Sequence, residues 1–235
     1  MKNKYSDQCL EEKMVKYSDL IRIKTKENNE KLVKLDGSTI PNGYVLEFSE
    51  MKKITGENIF VRETIAEKLN NAQTDIKKKC SNLSLFVTFG FRDLSVQTIR
   101  FLNELKNQNK FYADPSDLYE AVHRYIAVPN VAGHPTGGAI DIIIVDKDTQ
   151  KTIDFGGKQY DYRTKNCYVF TNTITQKQKE NRMLLRTTLI DVGFAPFDGE
   201  WWHFSYGDRE WAYFYKKRGA IYNQITYEDL SKFML

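Results

Sequence analysis

The chain predicts an α+β fold, helices packed on a central, largely antiparallel sheet, and three observations carry that expectation. Apolar residues recur early at helical spacing, as Val61, Ile65, Leu69, Ala72 and Ile76, while Leu83–Phe89 and Ile142–Val145 are short runs dense in β-formers. Helical patterns come first and strands gather towards the centre and end, which suits segregated layers rather than alternating βα units. No Gly-rich strand-to-helix turn of the dinucleotide or phosphate-loop kind is present, which argues against a doubly wound sheet.

Taken in order, residues 1 to about 40 are polar and Lys/Glu-rich, with turns at Asp36-Gly37 and Pro41-Asn42-Gly43. They read as a peripheral lead-in holding one short helix or strand. Tyr44 to Phe48 reads as a strand, followed by the helix that runs to about Cys80. Leu83–Phe89 is a strand stopped by Gly90, with Arg92 on the loop beyond it. Asp93 is a candidate N-cap for a helix presenting Val96, Ile99, Leu102 and Leu105 on one face. Asp114-Pro115 opens another helix, because Pro suits the first helical position and Asp117 suits the positive end of the dipole. Ile142–Val145, ended by Asp146-Lys147-Asp148, is expected to be a buried central strand. Residues 175 to 192 read as a helix closed by Gly193, and Trp201 to Tyr215 as two strands meeting at Tyr206-Gly207-Asp208.

At 235 residues a single domain spanning 1–235 is the expectation. The 35 basic and 31 acidic residues leave a net charge of +4, spread in small clusters such as Lys77-Lys78-Lys79 and Lys216-Lys217-Arg218. No basic stripe is interleaved with aromatics, so nucleic acid is not an expected partner. No stretch approaches the ~20 apolar residues of a membrane span. The polar start shows no apolar signal segment, and Cys9, Cys80 and Cys167 are odd in number and far apart, the usage of reduced thiols. A cytoplasmic location is therefore expected; oligomeric state is not readable.

Function concentrates in two short segments. His134-Pro135-Thr136-Gly137-Gly138-Ala139-Ile140-Asp141 and Glu200-Trp201-Trp202-His203 hold two of the chain's three histidines, each beside a carboxylate. Catalytic zinc sites keep three protein ligands and leave one position open, and His134, Asp141 and His203 meet that count. Gly137 and Gly138 allow a tight turn between the first two. Glu200 and His203, three apart, reach one metal only if the segment bends, since on a straight strand they would face opposite sides. A free carboxylate beside the metal can accept a proton from water and deliver it to a leaving amine, which describes peptide hydrolysis with one zinc per chain. His123 reads as a structural or exposed histidine. Arg92 reads either as a surface charge or as a forked hold on a carboxylate or oxyanion.

These residues resemble the VanX-type D-alanyl-D-alanine dipeptidases of the zinc-dependent DD-peptidase superfamily. The pattern H-x-x-G-x-A-x-D is met by His134, Gly137, Ala139 and Asp141, and E-x-W-H by Glu200, Trp202 and His203. Val61-Arg62-Glu63, Gly90-Phe91-Arg92 with Ser95-Val96-Gln97, and His203-Phe204-Ser205-Tyr206-Gly207-Asp208 extend the likeness over about residues 44 to 214. The resemblance implies that His134, Asp141 and His203 bind zinc, that Glu200 is the general acid/base, that Arg92 stabilises the oxyanion, and that the substrate is a small peptide. Trp202 is grouped with the substrate-binding positions.

Three positions depart from the family pattern. Ala132 stands where Ser is usual, Phe48 where a Tyr helps hold the substrate's amino group, and Tyr160 where an Asp completes that clamp, with Asp161 next door. A shift of one residue lets Asp161 hold a free amine; otherwise the site accepts a different or N-blocked peptide. The expected activity is hydrolysis of D-Ala-D-Ala or a related dipeptide. The alternatives are a carboxypeptidase or endopeptidase acting on longer peptidoglycan peptides, and an inactive zinc-stabilised peptide-binding domain.

Overall fold

The computed structural model describes residues 10–44, 49–162 and 164–228. In chain order these form α1 (Tyr17–Leu20), β1 (Leu32–Lys34), α2 (Ser49–Thr55), β2 (Phe60–Arg62), α3 (Glu63–Lys79), β3 (Leu83–Phe89), α4 (Leu94–Gln108), α5 (Pro115–His123), β4 (Ala139–Asp146), α6 (Gln176–Asp191), β5 (Ala195–Pro196), β6 (His203–Ser205) and α7 (Arg209–Phe214). The class is α+β. A four-stranded antiparallel sheet runs β3-β4-β6-β5, and β1 pairs antiparallel with β2.

β4 is the centre of the sheet because it can be buried throughout: its first seven residues are buried and Ile140, Ile142 and Ile144 are fully so. β-branched side chains on a strand covered on both faces need no polar alternation. Helix α3 packs on β3 through Ile65, Leu69, Ala72 and Ile76, and α6 packs beside it through Leu185 and Leu189. A capping box at Thr175 and Gln178 starts α6, and Gly193 at φ 93° ends it.

Several expectations are corrected. The lead-in is not peripheral: Leu20, Leu32, Leu35 and Ile40 are buried, and β1 pairs with β2. Its acidic residues are used too, since Glu27 and the Glu30 carbonyl hold the buried Arg62, whose Nε donates to Thr136 O at 2.8 Å. Most of its lysines and asparagines are exposed, while Glu27 and the Glu30 carbonyl serve as partners for a buried arginine. Helix α4 starts at Asp93 as expected, but buries Val96, Gln97 and Phe101 while Ile99 and Leu102 are 59% and 53% exposed. The second strand expected within 201–215 is helix α7. Asp208 caps it by accepting from Trp211 N at 2.8 Å, and aromatic content alone does not distinguish strand from helix. The strand expected from Tyr44 to Phe48 lies, beyond Tyr44, outside the described residues.

Candidate metal centre

Three pieces of backbone bring the ligand side chains together. Asp141 lies on β4 directly opposite His203 on β6 and opposite Phe89 on β3. His134 sits on a single 3-10 turn, His134–Thr136, that ends at Gly137 with φ 72°. A side chain at 137 would be strained by that φ, and its Cβ would meet Leu32 Cδ2 at 2.5 Å. The turn is tied down because His134 Nδ1 donates to Gly90 O at 2.8 Å and Arg92 N donates to His134 O at 3.2 Å. His134 Nε2 is thereby left facing Asp141.

The atoms converge closely. Asp141 Oδ1 lies 3.4 Å from His134 Nε2 and 3.1 Å from His203 Nδ1, and ligand atoms from all three buried residues lie within 4.8 Å of one another. Tetrahedral coordination with bonds of about 2.0–2.1 Å needs ligand atoms about 3.3–3.4 Å apart, so this donor set fits a zinc-sized ion. The remaining oxygen of Asp141 is also held, by the Tyr160 hydroxyl at 2.9 Å.

Glu200 joins the same site because the backbone bends where it must. His203 N donates to Glu200 O at 3.1 Å, closing a turn that puts both side chains on one side. A cavity of about 310 Å³ lies over the ligands, its walls including Arg92, Gln97, Tyr160, Tyr162, Glu200 and Glu210. Tyr162 donates to Glu200 Oε1 at 3.2 Å. Arg92 donates to Gln97 Oε1 at 2.7 Å, lies over the Phe89 ring at 4.7 Å, and has a buried Nε with no hydrogen-bond partner among the described residues.

With this geometry in place, the comparisons are decisive about kinship. A family model described as D-ala-D-ala dipeptidase, peptidase family M15, matches residues 39–224. The chain belongs to this family. It is 31% identical over 126 residues to a D-alanyl-D-alanine dipeptidase of Synechocystis sp., covering 47% of this chain and 51% of that protein. It is 29% identical over 77 residues to a D-alanyl-D-alanine dipeptidase of Enterococcus faecium, covering 33% and 38%. The chain thus spans about half the length, or less, of these curated relatives. Similar solved structures include the LdcB LD-carboxypeptidase, at TM-score 0.44 and 16% identity over 88% of this chain and 79% of that one. Another is VanYB in complex with D-alanine-D-alanine, at TM-score 0.40 and 15% identity over 74% and 83%.

The electrostatics of this M15 site separate the carboxylates by role. Burial raises Asp141, but His134 and His203 outweigh it and hold the carboxyl well below its ordinary value, as a ligand requires. Burial pushes Glu200 up to about 7, Asp141 and Glu210 add to the rise, and His203 opposes it. A buried carboxyl with a pKa near neutrality is suited to both taking and giving a proton. Burial lowers His134, leaving it neutral. Burial also opposes charge on His203, yet Asp141 and Glu210 at its two nitrogens lift it well above the ordinary value.

The substrate-binding expectations fare differently. Tyr160 and Tyr162 wall the cavity, but Asp161 lines an adjoining open groove with Tyr112, Arg124 and Lys158. Trp202 is fully buried in the main core and does not wall the cavity; it lies behind Tyr160 and Tyr162, with ring centroids 5.4 and 6.0 Å away. It lies in the turn directly before β6, where its carbonyl accepts from Ile142 N at 3.0 Å and its side chain packs into the core. Phe48 lies outside the described residues. His123 is buried, accepts from Val128 N at 3.2 Å and reaches the cavity wall. Ala132 also borders the cavity. Sequence reasoning missed Tyr162, Gln97 and Glu210. No local pattern marks Tyr162, because Tyr160-Asp161-Tyr162 belongs to no strand and its course depends on the left-handed φ of Tyr160.

Proposed function

We propose that the chain is a zinc-dependent dipeptidase that hydrolyses D-Ala-D-Ala or a closely related dipeptide, with His134, Asp141 and His203 as zinc ligands and Glu200 as general acid/base. The observation that carries this reading is the convergence of three metal-ligating atoms and a carboxyl of pKa about 7 on one cavity. The cavity's volume, about 310 Å³, is at the small end for small-molecule sites and suits a dipeptide.

Zinc, when bound, supplies Lewis-acid polarisation of the scissile carbonyl and acidifies water. Glu200, held by Tyr162 through Oε1, takes the proton from the attacking water and passes it to the leaving amine nitrogen. Arg92 offers a buried N–H and a full positive charge to the developing oxyanion. The side chain at the clamp position, Tyr160, donates to Asp141 and so carries no negative charge for a free amine.

A second reading has its own observation. A groove lined by Tyr112, Arg124, Lys158 and Asp161 adjoins the cavity, with Tyr125, Ile126, Tyr160 and Tyr162 common to both, and it offers room for the rest of a longer peptide. One experiment tests both readings. Zinc-loaded protein is given D,D-, L,D- and L,L-alanyl-alanine, N-acetyl-D-Ala-D-Ala and longer peptides ending in D-Ala-D-Ala, and release of free alanine is measured. Fastest turnover of free D-Ala-D-Ala is expected. Preference for the longer peptides selects the second reading, and no turnover of any peptide by folded, zinc-loaded protein removes both.

A further inference from the structure

Each proposed ligand touches a second group on its far side. His134 has the Gly90 carbonyl and Asp141 has the Tyr160 hydroxyl. His203 has Glu210, a residue in the first turn of α7 that neither the motif pattern nor the proposed mechanism uses. Glu210 Oε2 lies 3.5 Å from His203 Nε2, and the Glu210 side chain is 12% exposed, on the cavity wall.

The distances decide which nitrogen of His203 serves the metal. Nδ1 is the one that meets Asp141 Oδ1, at 3.1 Å, on the side where His134 Nε2 also arrives. A metal-binding imidazole nitrogen must be unprotonated, so the ring proton of a liganded, neutral His203 sits on Nε2. That nitrogen is buried and makes no hydrogen bond of good geometry. A buried N–H without an acceptor costs about 1–3 kcal/mol. The Glu210 carboxylate is the group in reach, and a small side-chain rotation shortens 3.5 Å to hydrogen-bond length. The helix places it there for a local reason: the Gly207 turn, φ 76°, and the Asp208 cap fix the start of α7 just after β6, so residue 210 comes back over residue 203.

We propose that Glu210 is a positioning residue for the metal centre: its carboxylate accepts the Nε2 proton of His203, fixes the tautomer and ring orientation, and thereby raises zinc affinity. This rests on the reading of His134, Asp141 and His203 as a zinc site. Outer partners of this kind are typically worth 10- to 100-fold in metal affinity or activity.

The test measures zinc dissociation constants by competition with a chromophoric chelator for wild type, Glu210→Ala and Glu210→Gln, together with the visible spectra of the cobalt(II)-substituted proteins and the melting temperatures without metal. Glu210→Ala should weaken zinc about 10- to 100-fold and alter the cobalt spectrum; the metal-free protein should also melt lower, because Glu210 pairs with His203 there, so the zinc affinities are compared at a temperature where both proteins are folded. Glu210→Gln keeps an acceptor oxygen and should recover most of the affinity. If wild type binds no zinc, the metal-site reading itself fails. Tight zinc in wild type with unchanged zinc affinity in Glu210→Ala overturns only the role of Glu210. Should Glu210→Ala not fold, Glu210→Met, which keeps the length of the side chain but has no carboxyl acceptor, takes its place: zinc binding about 10- to 100-fold weaker than in Glu210→Gln supports the role, and equal zinc affinity in the two overturns it.

Discussion

Two parts of the cavity's wall are built on different principles. One is the β4–β6 ladder with the turn at His134, where Asp141 and His203 face each other in paired strands and His134 is fixed by Gly90. The other is the segment through Tyr160, Asp161 and Tyr162, which belongs to no helix or strand and holds Tyr160 at φ 63°, a left-handed conformation that tyrosine rarely adopts. The first presents the candidate metal-binding atoms, the second faces the cavity across from them. Rigid ladder positions suit a geometry that tolerates little error, whereas a loop lets the contacts to substrate differ between family members without moving the ligands.

The largest losses are expected beside the ladder, at Glu200 in the turn before β6 and at Arg92 just after β3. Glu200→Ala should lower kcat on the order of 10³-fold or more, with zinc stoichiometry and circular dichroism unchanged. Chelation should abolish activity, and one equivalent of zinc should restore it. Full activity in folded, zinc-loaded Glu200→Ala would break the comparison outright. Arg92→Ala should cost about 10²–10³-fold in kcat, with little effect on zinc binding. An effect on KM alone would move Arg92 from the chemistry to substrate binding.

On the loop side, Tyr162→Phe tests a single hydrogen bond. The loss in kcat/KM should be about 10- to 100-fold, the ~1.5–3 kcal/mol worth of one hydrogen bond to a charged group. The pH profile sharpens it. Burial pushes Glu200 to about 7, and the Tyr162 bond, which stabilises the ionised form, works against that rise. Activity should therefore climb as pH rises through about 7 in wild type, and the climb should move to higher pH in Tyr162→Phe. A shift to lower pH would show that Tyr162 does not hold Glu200 in solution.

The two walls also differ in how far they could be read from sequence. His134, Asp141, Glu200 and His203 were legible because metal binding needs particular side chains, and the Gly137-Gly138 turn and the tight spacing at 200–203 stand in the chain itself. Strands β3 and β4 and helices α3 and α6 were legible for a similar reason, since burial writes a periodic pattern. Asp161 lines the adjoining groove rather than the cavity, a placement that depends on the left-handed φ of its neighbour Tyr160, which no local pattern announces. Trp202 lies in the core rather than on the cavity because the turn that brings Glu200 and His203 to one side sends the side chain between them inward. Glu210 was invisible because its approach to His203 depends on α7 being a helix, where aromatic density suggested a strand.

The smallest expected effect isolates the point where the two walls touch. Tyr160 donates to Asp141 Oδ2 at 2.9 Å, and its oxygen lies 3.3 Å from Thr88 Oγ1, so the loop also steadies a metal ligand. Tyr160→Phe keeps the ring, its packing on Trp202 and the same left-handed backbone cost, because phenylalanine is no happier at φ 63° than tyrosine. Only the hydroxyl is removed. The expected loss is about 1 kcal/mol of stability, seen as a drop of about 2–4 °C in melting temperature, with kcat within about fivefold of wild type. Asp141 keeps His134 and His203 beside it, so zinc should still bind at full stoichiometry. A loss of zinc as complete as that expected on removing a ligand would mean that the loop is part of the metal site and that the two walls are one device.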